Sequence, residues 1–120
     1  MTIEIGDPQG QRYEPMEALA DTGSSYTWVP REVLARLGVL PQFRRDSLIA
    51  DDRIIQRDMA VTMARYDGQA LPTLVVFGDE GSMALLGAYT LEGFGLAVDP
   101  VNRRLVPVPA LAMPAGLGGG

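Results

Sequence analysis

Apolar and polar residues alternate from Thr2 to Gly6, as along a strand with one face buried. Asp7-Pro8-Gln9-Gly10 is then a turn, with proline fixing φ and glycine closing it. Gln11 to Pro15 is expected to return as the partner strand, and Met16 to Ala20 leads the chain onward. Pro30 to Gly38 reads as a short helix, Pro30 in its first position and Gly38 at its stop. Val33, Leu34 and Leu37 give that helix one core face. Leu48 to Ile55 predicts a hairpin with Asp51-Asp52 at its tip. Alternation resumes from Met59 to Arg65, Asp67-Gly68 signals another hairpin, and Leu71 to Phe77 returns. Gly78 to Ser82 is a loop, Ala84 to Gly87 a compact apolar run, and Tyr89 to Gly93 a helical turn. Gly95 to Val98 and Arg104 to Val106 predict strands joined by the Asp99-Pro100-Val101-Asn102 turn. Many short strands with about two short helices mean a mainly β, barrel-like domain.

One stretch carries chemistry. In Ala18-Leu19-Ala20-Asp21-Thr22-Gly23-Ser24-Ser25-Tyr26-Thr27-Trp28-Val29-Pro30, two apolar runs flank a carboxylate, a glycine and several hydroxyls. Read as strand, tight turn and strand, it places Asp21 on a turn between buried segments. The hydroxyls of Thr22, Ser24 and Ser25 can satisfy backbone groups or donate to the carboxylate. Ser24, next to Gly23, is expected to donate to Asp21 and so favour its ionised form. Asp-Thr-Gly-Ser is also plain turn chemistry, with Asp accepting hydrogen bonds from the backbone two residues on.

Composition narrows the options. At 120 residues and 47% apolar the chain suits one globular domain. The expected division is a folded domain over 1–108 and a flexible Pro/Ala/Gly-rich tail over 109–120. No run is long enough to span a membrane, and Met1-Thr2-Ile3-Glu4-Ile5 lacks a leader's basic and apolar regions. A cytoplasmic chain without membrane partner is therefore expected. The net charge of −5 argues against a nucleic-acid partner. The ten basic residues are all arginine, which disfavours Schiff-base chemistry. With no Cys and no His, thiol nucleophiles, Ser-His-Asp triads and ordinary zinc sites are excluded. Asp46, Asp51, Asp52 and Asp58 have no calcium-loop spacing and read as solvated hairpin charges, so no metal is expected. The pairs Arg44-Arg45 and Arg103-Arg104 read as solvated, and Tyr26, Trp28 and Phe94 as core or subsite wall.

The order of elements completes the reading. A strand ending in Ala20-Asp21-Thr22-Gly23-Ser24, a hairpin some thirty residues later, Leu85-Leu86-Gly87 before a short helix, and a closing hairpin resemble the retropepsin-like aspartic proteases. The resemblance runs from about Thr2 to Pro107. It implies a small closed β-barrel of the pepsin-lobe type and an aspartic endopeptidase needing no cofactor. By that resemblance Asp21 is the catalytic acid, with Thr22, Gly23 and Ser24 supporting it. Ile49, Ala50, Asp51, Asp52 and Arg53 fall in the flap that closes over a peptide or protein substrate. Leu85, Leu86 and Gly87 would support the active-site loop from beneath. The flap tip lacks the glycines of viral members, and Ala88 stands where they carry an arginine. One such Asp per chain implies a C2 homodimer, since the family mechanism needs two. The alternative is a catalytically silent β-domain of the same fold that binds an extended peptide.

Overall fold

The computed structural model describes residues 1–48 and 53–108. Among the described residues nine strands and two helices follow in the order β1 (Thr2–Gly6), β2 (Tyr13–Ala20), β3 (Thr27–Pro30), α1 (Arg31–Arg36), β4 (Phe43–Leu48), β5 (Ile54–Tyr66), β6 (Gln69–Gly78), β7 (Ala84–Leu86), α2 (Ala88–Phe94), β8 (Leu96–Asp99) and β9 (Arg104–Pro107). Six strands close a barrel in the order β1-β2-β7-β3-β6-β5, sealed where Glu4 and Ile5 of β1 pair with Arg65 and Ala64 of β5. Strand β4 lies outside the barrel on β5, and β8 and β9 form a separate two-stranded ladder. The expected mainly β barrel is the architecture found.

Alternation explains what fills it. Ile3, Ile5, Met16, Ala18, Val29, Ala60, Ala64, Val75, Phe77, Ala84 and Leu86 point inward, and Leu34, Leu37 and Leu91 of the helical segments join the same core. Each fully buried Val, Leu, Ile, Met or Phe among them contributes about 1.5–3 kcal/mol, and each alanine less. The Asp67-Gly68 turn joining β5 to β6 has φ of 51° and 80°, the two positive values a two-residue hairpin demands. The helix stop at Gly38 is also as expected, at φ 72°. Pro30 differs by one position. It ends β3 with extended ψ of 136° and caps α1 rather than opening it.

Several boundaries move. The two segments read on either side of Pro15 are one strand, β2, with Pro15 opposite Glu4. The hairpin read over 48–55 is far longer, because Phe43–Leu48 pairs with Ile54–Met59 and β5 continues to Tyr66. Arg44, Arg45 and Asp46 hid that strand, since β4 is a peripheral strand with these residues exposed and no apolar alternation. The hairpin tip at Ile49, Ala50, Asp51 and Asp52 lies outside the described residues, as does the tail at 109–120. Among the described residues no helix is long and apolar enough to cross a membrane.

Candidate active site

The Asp21 turn is built by an inserted strand. Strand β7 lies between β2 and β3, parallel to β2 through Ala18–Ala84, Leu19–Leu85 and Ala20–Leu86, and antiparallel to β3 through Trp28–Leu85. Strands β2 and β3 therefore run in opposite directions with β7 between them, and residues 21–26 must bridge over the end of β7. Backbone bonds tie that bridge down. Asp21 N–H donates to Leu86 O (2.9 Å), Ala88 N–H to Ser24 O (2.8 Å) and Tyr89 N–H to Ser25 O (2.9 Å). Within the turn, Ser24 N–H donates to Asp21 O at 3.0 Å. These four bonds run between backbone groups, so side-chain substitution leaves their donors and acceptors in place.

Glycine is required beneath the bridge. A Cβ at Gly87 would come within 2.9 Å of Tyr26 N and closer still to the Tyr26 carbonyl. The Leu85-Leu86-Gly87 run thus lies directly under the loop. On the turn the Asp21 side chain is half-buried and its Oδ1 accepts from Gly23 N–H at 3.0 Å. Thr22 and Gly23 are exposed beside it. Ser24 departs from expectation. Its hydroxyl donates to Tyr26 O at 2.9 Å, bracing the loop instead of reaching the carboxylate. The backbone donor two residues after Asp21 already occupies the near face of the acid, as in an Asx-turn.

Two cavities flank the turn. One of about 360 Å³ is walled by Ser24, Ser25, Tyr26, Trp28, Asp46 and Val76. It joins the loop to β4, so Tyr26 and Trp28 are cavity wall, and the hairpin carrying Asp46 is its far side. Arg57 sits 5.3 Å from the Trp28 ring centroid and donates to Asp79 at 2.8 Å. That hydrogen bond, with the guanidinium charge, holds the Asp79 carboxyl below its ordinary range. The other cavity, about 540 Å³, is lined by Ala20, Thr22, Ala88, Leu91, Leu96 and Val98 among others, and so meets the turn at Thr22. Arg53 is exposed beside the undescribed hairpin tip. Phe94 packs on the core against Tyr66, with ring centroids 6.2 Å apart. Of the four hairpin acids, Asp58 pairs with Arg44 at 3.1 Å and Asp46 is exposed. Among the described residues no group of three or more acids could hold a metal ion.

Sequence reasoning missed a set of buried hydroxyls. Thr27 of β3, Thr73 of β6 and Thr90 of α2 are each at most 2% exposed. Thr27 Oγ1 lies 2.6 Å from Thr90 Oγ1, which lies 2.8 Å from Thr73 Oγ1. Gly87 N–H donates to Thr27 Oγ1 at 3.0 Å. The signal was a threonine at inward positions of two strands and a helix, where valine would serve packing alone. No protein-family model and no curated protein matches the chain in sequence.

Proposed function

We propose that the chain is one half of an aspartic endopeptidase, whose active site forms when two copies bring their Asp21 turns together about a two-fold axis. The observation that carries this reading is the clamped turn itself. It presents one half-buried carboxylate beside two exposed residues, Thr22 and Gly23, over a glycine that admits no side chain. Nothing about packing calls for an acid there. Two such carboxylates at about 3 Å share one proton and titrate as a pair. The ionised member takes a proton from water, which attacks the peptide carbonyl, while the protonated member polarises that carbonyl. Both then serve transfer of a proton to the leaving amine. The cavity under the β4–β5 hairpin suits an extended substrate whose side chains lie against Tyr26 and Trp28.

A two-fold axis at this turn would also imply a contact face. An axis close to Asp21 turns Thr22 and the apolar cavity at Ala88, Leu91, Leu96 and Val98 toward the partner. An apolar contact would there replace the arginine that viral members carry after the glycine. The test is cleavage of a diverse peptide mixture by the purified chain, with Asp21→Asn as the comparison. Asn keeps the shape and the acceptor for Gly23 N–H but cannot act as an acid. Cleavage by the parent alone is expected. Equal cleavage by the Asn variant refutes the proposal, and binding without cleavage by both selects a silent peptide-binding domain.

A further inference from the structure

We propose that Thr90 is a positioning residue for Asp21, acting through a buried chain of hydroxyls that holds the segment beneath the catalytic turn. The inference rests on the aspartic-protease reading for its catalytic consequence, but its structural half stands alone. Strand β7 ends at Leu86, so the next amides have no strand partner. The first amides of a helix have no intrahelical acceptor either. Three successive N–H groups at the β7–α2 junction would therefore be orphaned. Each instead serves the site: Gly87 N–H donates to Thr27 Oγ1, Ala88 N–H to Ser24 O, and Tyr89 N–H to Ser25 O.

The first of these bonds depends on side chains. Thr27 Oγ1 accepts from Gly87 while contacting Thr90 Oγ1, and the Thr90 hydroxyl is bonded to both Thr27 and Thr73. All three side chains sit among apolar residues, where an unbonded hydroxyl is costly and a bonded one is held in a single rotamer. Thr90 thus joins helix α2 to strands β3 and β6 and fixes the Thr27 oxygen where Gly87 must meet it. Moving that oxygen moves Gly87, then Ser24 and Ser25, then the carboxylate. Thr90 does not touch the reacting atoms. It sets where they stand.

Thr90→Val removes the hydroxyl at nearly constant shape and Thr90→Ser restores it. Thr62→Val is the comparison: Thr62 lies opposite Thr73 in the β5–β6 ladder and its Oγ1 is equally buried, but it donates to Gly6 O instead of joining the three-hydroxyl chain. The three variants and the parent are compared by peptide-cleavage kinetics and by amide hydrogen exchange. In Thr90→Val, kcat should fall on the order of tenfold or more with KM within about twofold, as misplacement of a catalytic group predicts. Exchange at Gly87, Ala88 and Tyr89 should quicken, and Thr90→Ser should recover most of both. Thr62→Val should lose stability while keeping the parental kcat. Parental kcat in Thr90→Val, or parental exchange at 87–89, overturns the proposal. If Thr90→Val does not fold, Thr73→Val is decisive on the same readouts, because it strips one partner from Thr90 and leaves the Thr27 bond. If the parent cleaves no peptide, the protease reading alone fails. The 13Cγ shift of Asp21 then decides: a changed shift in Thr90→Val supports positioning, and an unchanged one overturns it.

Discussion

Gly87→Ala should damage the site more than any single added methyl elsewhere near it. The new Cβ would lie within 2.9 Å of Tyr26 N and closer still to the Tyr26 carbonyl, all backbone atoms that cannot swing aside. Restoring ordinary contact requires the two segments to part by on the order of 1 Å. That displacement stretches the bonds from Gly87 to Thr27 Oγ1 (3.0 Å), Ala88 to Ser24 O (2.8 Å) and Tyr89 to Ser25 O (2.9 Å) past useful length. At roughly 1 kcal/mol each, the loss is about 3 kcal/mol, within the cost of overpacking a tight core. For a domain of this size the melting temperature should fall by roughly 10 °C. Activity should suffer further, since a 1 Å error in a catalytic group costs up to about a hundredfold. Gly93→Ala is the matched comparison. Its Cβ would meet only Leu71 Cδ1 at 3.4 Å, and alanine favours the helix by up to about 1 kcal/mol. Urea unfolding and peptide cleavage of both variants provide the assay. A Gly87→Ala protein with the parental midpoint and parental kcat would refute the reasoning about the clamp.

Two further outcomes follow from the same geometry. Asp7 Oδ1 accepts from Gln11 N–H (2.7 Å) and Arg12 N–H (2.9 Å), and the Arg12 backbone bond foremost holds its carboxyl below the ordinary range. A depressed carboxylate stabilises the fold above its unfolded value of about 4 and loses that contribution as pH falls through the folded value. Asp7→Asn should therefore be less stable than the parent at pH 7, with the difference in urea midpoint closing in acid; a difference independent of pH contradicts this. Ala97→Arg puts a charge into the wall of the apolar cavity beside Thr22. It should yield a folded monomer with little cleavage activity, read by sedimentation and peptide assay, whereas a fully active dimer would place the contact elsewhere.

The barrel was legible because its strands obey a period of two. Ile3 and Ile5, Met16 and Ala18, and Val75 and Phe77 declare an inner face, and Asp67-Gly68 declares its turn by chemistry alone. The peripheral strand was not, because Arg44, Arg45 and Asp46 answer to solvent on both faces. The turn at Asp21 and the glycine at 87 were recognised as separate segments, but nothing in local spacing says that β7 passes between β2 and β3. Those pairings join residues 57 apart (Trp28 and Leu85) and 66 apart (Ala18 and Ala84) in sequence and exist only in the closed sheet. Ser24 illustrates the limit from the other side. Its neighbours in sequence suggested a donor to Asp21, yet the loop's curvature brings Tyr26 O nearer. The threonine chain from Thr73 through Thr90 to Thr27 has the same origin, since three distant elements supply one hydroxyl each.

The central claim is that two Asp21 carboxylates, from two chains, make one active site. It is tested most directly by mixing parent and Asp21→Asn chains in equal amounts and allowing full exchange, confirmed with two distinguishable tags. Random pairing leaves roughly a quarter of dimers with two intact carboxylates and roughly half as hybrids with one. Hybrids lack the shared-proton pair, so activity per total protein should fall to about a quarter of the all-parent value. A residual activity near one half after proven exchange would mean that each chain works alone, and would contradict the two-fold mechanism.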